Sequence, residues 1–238
     1  MTMQVLVFAW LVLLLTARDA DGQAATTSQP ATTKASELPA FFATAQKGQV
    51  DKVQDILAGG QDINATTEGG VTALHWAAAY AQADVVRLLV QKGADVNKRS
   101  DVGQTALYLA CEEGNAVIVR ILLENKADLA IVDDNALSCL HAAAMRGRKS
   151  TVQILAAKYA DPTKFANAVN SVDKSGATPL HLAAAGGFKD VVEFLATHGA
   201  DATLVDKDGN TAADLATAND HSDVAGLLTA KDTKGGQQ

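Results

Sequence analysis

One four-residue phrase recurs along the chain at nearly constant intervals. It reads Thr-Ala-Leu-His at 72–75, Thr-Ala-Leu-Tyr at 105–108, Ser-Cys-Leu-His at 138–141 and Thr-Pro-Leu-His at 178–181, with a weaker Thr-Ala-Ala-Asp at 211–214. The third residues of these copies are separated by 33, 33, 40 and 33 residues. A fixed period of this size is typical of a stacked solenoid, in which each unit buries its apolar face against its neighbours. Because such stacks present long surfaces, the repeat predicts a binding function.

The copy at 173–201 indicates how one repeat folds. Thr178 offers its hydroxyl as an N-cap, and Pro179 fits the first helical position because its missing N–H would be unpaired there. The pair at 186–187, Gly-Gly, predicts the end of this helix. A second helix begins near Asp190, and Gly199 predicts its left-handed end. The chain is 48% hydrophobic but only 5% aromatic because alanine dominates, which also favours an all-α stack.

This pattern resembles the ankyrin repeat. The same phrase returns within Gly-Val-Thr-Ala-Leu-His-Trp-Ala-Ala at 70–78, followed by Gly-Ala-Asp-Val-Asn at 93–97, and within Gly-Gln-Thr-Ala-Leu-Tyr-Leu-Ala at 103–110. The resemblance covers about residues 37–230 and implies an all-α ankyrin-repeat solenoid of stacked helix-turn-helix units with projecting turns. The predicted units are an N-cap at 37–66, repeats at 67–99, 100–132, 133–172 and 173–205, and a C-cap at 206–230.

The first residues carry a separate signal. An uninterrupted run of 11 apolar residues extends from Val5 to Leu15, whereas a membrane-spanning helix needs about 20. Small residues at Ala20 and Gly22 fit a signal-peptidase site, so the sequence predicts a signal peptide at 1–22 and a mature start at Gln23. No Lys or Arg precedes the apolar run, and an N-terminus that is unstructured or buried in the core is the alternative.

The segments on either side of the repeats are polar. Residues 23–36 are rich in Thr and Ser and predict a disordered linker, and 231–238 predict a disordered tail. That tail contains no apolar stretch, so we expect no membrane anchor there. The tripeptide Asn64-Ala65-Thr66 is a sequon for N-glycosylation, which the secretory pathway would permit.

The histidines are the first candidates for chemistry. His75, His141 and His181 each end a copy of the phrase, and in the ankyrin family this imidazole hydrogen-bonds the adjacent turn. His198 and His221 have no neighbours at ligand spacing, so we expect them to face solvent. No phosphate-binding Gly-Lys-Ser/Thr loop, nucleophile elbow or His-Glu-x-x-His helix is present. The sequence predicts no metal, no cofactor and no enzymatic activity.

The two cysteines and Trp76 also have structural interpretations. Cys111 and Cys139 lie on consecutive first helices, separated by about 10 Å of stacking and about 7 Å along the axis. This register predicts two buried thiols and no disulfide, because a bridge needs Cα atoms within about 7 Å. Trp76 aligns with aliphatic residues in the other copies, which predicts packing between repeats.

In ankyrin domains the projecting turns and the exposed positions of the first helices form a concave binding face. Carried over residue by residue, the resemblance predicts fifteen binding residues, which we call the groove. They are Glu68, Val71, Tyr80, Asp101, Val102, Gln104, Glu112, Glu113, Asp134, Asn135, Leu137, Met145, Arg146, Lys174 and Ser175. Acidic residues with apolar ones between them favour a protein partner with a basic, partly apolar patch; a solvated acidic face is the alternative. The formal net charge of −7 disfavours nucleic acid.

The interval of 40 residues contains an insertion. The excess lies within 162–172 and includes Phe165, an aromatic residue on an enlarged connection. Phe165 either contacts a partner or folds back to cover the stack, and the sequence leaves both possibilities open.

Three functions are compatible with these features. The first is a secreted interaction or scaffold protein that binds its partner on the groove. The second is a cytosolic regulatory ankyrin protein, in which the segment at 89–97 would resemble those that asparaginyl hydroxylases modify, at Asn97. The third is an inhibitor of a secreted enzyme.

Overall fold

The computed structural model describes residues 38–159 and 161–235, a region that contains thirteen α-helices. The helices are α1 (Leu38–Gln46), α2 (Val50–Ala58), α3 (Ala73–Ala79), α4 (Ala83–Gln91), α5 (Ala106–Glu113), α6 (Ala116–Glu124), α7 (Cys139–Met145), α8 (Lys149–Lys158), α9 (Pro162–Val169), α10 (Pro179–Ala185), α11 (Lys189–Thr197), α12 (Ala212–Ala218) and α13 (Ser222–Gly235). The predicted signal peptide (1–22) and linker (23–36) lie outside the described residues.

Twelve of these helices form six antiparallel pairs stacked in two layers. The first helices, α1, α3, α5, α7, α10 and α12, each contact the next first helix in the stack. The second helices, α2, α4, α6, α8, α11 and α13, contact one another in the same order. This arrangement confirms the predicted all-α solenoid. The last helix continues to Gly235, five residues beyond the boundary at 230 that the sequence predicted.

The repeated phrase is a helix-capping motif in which histidine takes the place usually held by Glu or Gln. At the start of α3, the Thr72 hydroxyl accepts from the backbone N–H of His75 at 3.4 Å. In return, Nδ1 of His75 accepts from the backbone N–H of Thr72 at 3.1 Å. Ser138 with His141 and Thr178 with His181 repeat this capping box at α7 and α10. The reciprocal bonds satisfy two N–H groups that a helix start leaves unpaired.

The second ring nitrogen of each of these histidines bonds to the following repeat. Nε2 of His75 donates to the Gln104 carbonyl at 3.1 Å, because Nδ1 already acts as an acceptor. The corresponding bonds join His141 to Ala177 at 3.3 Å and His181 to Asn210 at 3.1 Å. These contacts confirm that the histidines are structural and that each one ties two repeats together.

Leucine side chains fill the space between the helix layers. The phrase leucines, Leu74, Leu107, Leu140 and Leu180, are all buried, and burial of one such side chain stabilises a protein by about 1.5–3 kcal/mol. Trp76 is half-buried and packs against this core, as predicted.

The two cysteines are free and buried, as predicted. The Cys139 side chain lies near the Cys111 thiol across the α5–α7 contact. Helical Cα–Cβ bonds tilt toward the N-terminus, so the Cys111 side chain leans back toward the level at which α7 begins. Burial, followed by the neighbouring Cys139 side chain, raises the pKa of the Cys111 thiol.

The insertion forms an additional helix, α9. Second helices elsewhere end at a left-handed residue such as Gly93 or Gly199, with φ of 89° and 95°, whereas Tyr159 at this position is extended, with φ of −72° and ψ of 99°. The chain therefore continues to Asp161, whose carboxylate accepts from the Thr163 N–H at 2.9 Å and caps α9. Phe165 on this helix is buried, so of the two possibilities for Phe165 the one observed is the fold back onto the stack.

An asparagine restores the register after α9. Elsewhere, the side chains of Asn64 and Asn97 accept from the N–H groups of Asp95 and Asp128, both at 2.8 Å. Asn170 makes the same contact with the Asp201 N–H at 2.8 Å. The bridge between consecutive repeats therefore survives the insertion, and α9 lies outside the two stacked layers.

None of the helices in the described residues combines the length and apolar character needed to cross a membrane.

We predict that His141→Gln weakens the stack in a pH-dependent way. Burial lowers the pKa of His141 from 6.5, so the folded state favours the neutral ring, while the unfolded chain protonates it below about pH 6.5. His141 therefore makes the wild type lose stability as pH falls below that value. His141→Gln should cost about 1–3 kcal/mol at pH 7 through the lost bond to Ala177.

Denaturant unfolding at pH 7 and pH 5 measures both effects. The loss of stability between the two pH values should be smaller in His141→Gln than in the wild type. His198→Gln is the control, because that ring is exposed. An equal loss in His141→Gln and the wild type would contradict the assignment of His141 as a buried neutral ring.

Candidate interaction surface

The projecting turns are joined into a continuous row by backbone hydrogen bonds. Each bond runs from an N–H in one turn to a carbonyl in the turn before it. The four bonds are Asp101 to Gly69 at 2.8 Å, Asp134 to Val102 at 3.0 Å, Lys174 to Asn135 at 2.8 Å and Lys207 to Ser175 at 2.9 Å. Because main-chain atoms make these bonds, the spacing of the turns does not depend on which side chains the turns carry.

A carboxylate at the start of three turns fixes their shape. The Asp133 carboxylate accepts from the N–H groups of Asn135 and Leu137, both at 2.8 Å, and Asp173 and Asp206 act in the same way. Burial raises the pKa of Asp133 although these two bonds oppose the shift. The sequence analysis assigned no role to Asp133 or Asp206, although the recurrence of Asp five residues before the last three phrases could have revealed it.

All fifteen groove residues are accessible to a partner. Nine are exposed: Glu68, Tyr80, Asp101, Val102, Glu113, Asp134, Asn135, Lys174 and Ser175. Six are half-buried: Val71, Gln104, Glu112, Leu137, Met145 and Arg146. These residues lie in the turns of the row or at the ends of the first helices.

An aromatic pair provides apolar surface at the first repeat of the groove. The Tyr80 ring stacks on Trp76, with centroids 5.8 Å apart and planes 28° apart. Trp76 packs into the core beneath, whereas 41% of Tyr80 is exposed. Val102, 46% exposed, adds apolar surface in the next turn.

Part of the predicted acidic charge is neutralised within the groove. Glu112 accepts from Nη2 and Nε of Arg146, at 2.7 and 3.2 Å, and both side chains are largely buried. Asp134 pairs with Arg99 at 3.3 Å in a far more exposed position. Arg148 also reaches the groove, since its Nε donates to the Glu112 carbonyl at 3.0 Å. Sequence reasoning assigned no role to Arg99 or Arg148, because their pairing depends on contact between repeats.

The remaining acidic charge lies in the early and middle part of the groove. Within residues 38–159 and 161–235, the structure gives no ion pair to Glu68, Asp101 or Glu113. Partial burial, and then the charge of Glu112, raise the pKa of the Glu113 carboxyl. The turns of the fourth repeat and the C-cap instead carry Lys174 and Lys207, so the charge along the row changes sign.

In the second copy of the phrase tyrosine replaces histidine, and this tyrosine lies close to Glu112 of the groove. Tyr108 is buried and interacts with the side chain of Gln104, a groove residue. Burial, followed by the charge of Glu112, raises the pKa of Tyr108, so its hydroxyl stays protonated at neutral pH. In the described part of the chain, no group of three His, Cys, Asp or Glu side chains could hold a metal ion.

The chain matches the sequence model of a known protein family. The sequence model of the family described as "Ankyrin repeats (3 copies)" matches residues 11–100, 93–166 and 140–237. No curated protein matches the chain.

We predict that the two ion pairs of this surface differ in strength. A double-mutant cycle with Glu112→Gln and Arg146→Gln should give a coupling energy of about 1.5–3 kcal/mol, because the pair is largely buried and doubly hydrogen-bonded. The matched cycle with Asp134→Asn and Arg99→Gln should give about 0–1 kcal/mol, because those side chains are exposed. Urea unfolding of the variants measures both, and equal coupling energies would contradict the structure.

Proposed function

The chain belongs to the ankyrin repeat family, and we propose that it is a secreted, non-catalytic scaffold whose groove binds a protein partner. Ankyrin repeats form protein–protein interaction modules. The observation that carries the proposal is the row of turns held by backbone hydrogen bonds, on which exposed side chains vary from repeat to repeat. Because backbone bonds hold the turns in place, the exposed side chains of the turns can vary and are available to contact a partner.

Charge and apolar surface favour a partner with a basic, partly apolar patch. Glu68, Asp101 and Glu113 supply carboxylates, while Tyr80 and Val102 supply exposed apolar area nearby. A rigid aromatic side chain flanked by charge is the usual composition of an energetically dominant contact. The raised pKa of Glu113 also couples binding to pH, because a basic group brought close to this carboxyl would lower that pKa. Binding would then strengthen as pH rises through the titration of Glu113.

The state of the reactive side chains supports a non-catalytic role. The repeat histidines use both ring nitrogens in structural hydrogen bonds, which leaves none to act as a general base. Both thiols are buried, and burial raises the pKa of the Cys111 thiol, whereas a nucleophilic cysteine needs an accessible thiolate.

The proposed location rests on the sequence. The apolar run at 5–15 with small residues at Ala20 and Gly22 supports export, and the sequon at Asn64 is compatible with it. The cytosolic alternative would instead make Asn97 a target for hydroxylation. The two asparagines occupy the same position in consecutive repeats, because each accepts from the aspartate N–H of the next repeat at 2.8 Å.

We predict that reversing charge in the groove abolishes partner capture. Asp101→Lys with Glu113→Lys changes two exposed carboxylates that form no ion pair with any residue of the described part of the chain, so the fold should be retained. Crosslinking and pull-down from the native host should recover the groove partner at least about tenfold less efficiently, equivalent to 1.4 kcal/mol. Tyr80→Ala should also weaken capture, through the lost aromatic contact.

A matched control changes the same charge on the opposite layer. Glu124→Lys with Glu193→Lys alters two exposed residues of the second helices α6 and α11. This variant should capture the partner as the wild type does. If the groove variant and the control lose the partner equally, or if neither loses it, the proposed binding surface is wrong.

We also predict the mass of the protein isolated from its native host. Export predicts a mature start at Gln23, with or without a glycan on Asn64. The contrary result is an intact Met1 together with an added oxygen on Asn97, which would support the cytosolic alternative. Intact-mass measurement followed by peptide mapping distinguishes these outcomes. An inhibitor of a secreted enzyme would share the mature start, and the identity of the captured partner separates it from a scaffold.

A further inference from the structure

A cavity of about 800 Å³, wide open to solvent, lies on the side of the stack formed by the second helices. Its walls come from α8, from α9 and from the end of α11. Small-molecule sites in proteins have volumes of about 300–1,000 Å³, so this cavity is of the size that holds a ligand. It is separate from the groove, since none of the fifteen groove residues lines it.

Aromatic side chains dominate the lining. Tyr159 contacts Phe165 with ring centroids 5.6 Å apart, and Phe165 meets His198 edge-on at 6.3 Å. His198 stacks on Phe194 at 3.9 Å, which completes a continuous series of four rings. In a chain that is only 5% aromatic, this concentration provides faces and edges suited to another planar ring.

The lining includes no acidic or basic side chain apart from the imidazole of His198. Nδ1 of His198 donates to the Phe194 carbonyl at 2.7 Å, which places the proton of the neutral ring on that nitrogen. Nε2 is then a hydrogen-bond acceptor. Gln153 and Thr163 add polar, uncharged groups to the lining. A cavity lined by rings and by hydrogen-bond acceptors without charge favours a neutral aromatic molecule that carries an N–H or O–H donor.

The helix that borders this cavity packs Phe165 and Val169 into the core but takes no part in the bridge between repeats. Asn170 restores the bridge to Asp201 after α9, and its Nδ2 also donates to the Gly199 carbonyl at 2.7 Å. Three of the lining residues, Thr163, Phe165 and Ala166, lie on α9. The insertion therefore leaves the bridge between these repeats in place and adds one wall of the cavity.

We propose that α9 and the second helices beside it form a binding site for small, neutral aromatic molecules that carry a hydrogen-bond donor. The rings of Phe165, Phe194 and Tyr159 contact the ligand ring, and Nε2 of His198 accepts from its N–H or O–H group. This site is independent of the proposed protein-binding groove, so either proposal can fail without the other.

Calorimetry with 2-naphthol tests the cavity directly. Ala157→Phe places a ring into it from an exposed position of α8 and should weaken 2-naphthol binding at least about tenfold. Glu124→Phe is the matched control, since it adds the same side chain at the equivalent exposed position of α6, one repeat earlier. The control should bind 2-naphthol as the wild type does.

Deleting residues 163–169 tests the role of the insertion. The deletion removes seven residues, joins Pro162 to Asn170 and returns the long interval from 40 to 33. We expect the helical circular dichroism and cooperative unfolding to be retained and 2-naphthol binding to be lost. Ala157→Phe keeps the proposal testable if the deletion variant does not fold.

The hydrogen bond is tested by removing the donor from the ligand. The wild type should bind 2-naphthol about fivefold more tightly than 2-methoxynaphthalene, which has no O–H group. His198→Phe keeps the ring stack but should abolish this preference. The proposal is overturned if the wild type does not bind 2-naphthol, or if Ala157→Phe and Glu124→Phe bind it equally well.

Discussion

The interaction on which the rest of this structure depends is made by the imidazole that ends each complete phrase. One ring nitrogen closes a capping box at the start of its own helix, and the other donates to a carbonyl of the following repeat. A single side chain therefore fixes where a helix begins and how far away the next repeat lies. Because the ring must be neutral to accept at Nδ1 and donate at Nε2, the stack is also sensitive to acid.

As a result, the contacts that hold the repeats together are separate from the side chains that a partner would contact. The histidines, the phrase leucines and the backbone bonds between turns hold the repeats in position, and none of these contacts uses the side chain of a groove residue. Side chains such as Glu68, Asp101 and Lys174 can differ between repeats without disturbing the stack. Recognition on an ankyrin frame is therefore a property of the positions that vary from copy to copy, and the acidic to basic change along the row is carried by such positions.

The fold could be predicted from the sequence because its determinants are local and repeated five times. Contacts between side chains of different repeats could not be predicted, because they depend on side-chain rotamers, which the repeat period does not determine. Glu112 was predicted as part of an acidic surface, yet its carboxylate is held by Arg146, 34 positions later. The groove residues that lie in turns could be assigned to those turns from the sequence, because the repeat places a turn at the same position in every copy.

The interval of 40 residues shows how a repeat stack can accommodate an additional helix while keeping the bridge between repeats. In a solenoid each unit contacts only its neighbours, so an insertion must preserve just one set of bridges. Here Asn170 preserves them, and the extended Tyr159 in place of a left-handed residue leads the chain outward into α9. The inserted helix then buries Phe165 against the neighbouring rings, which supplies the apolar contact that a short additional helix needs to stay folded. A surface concavity is the geometric consequence, because α9 lies beside the layer of second helices and not within it.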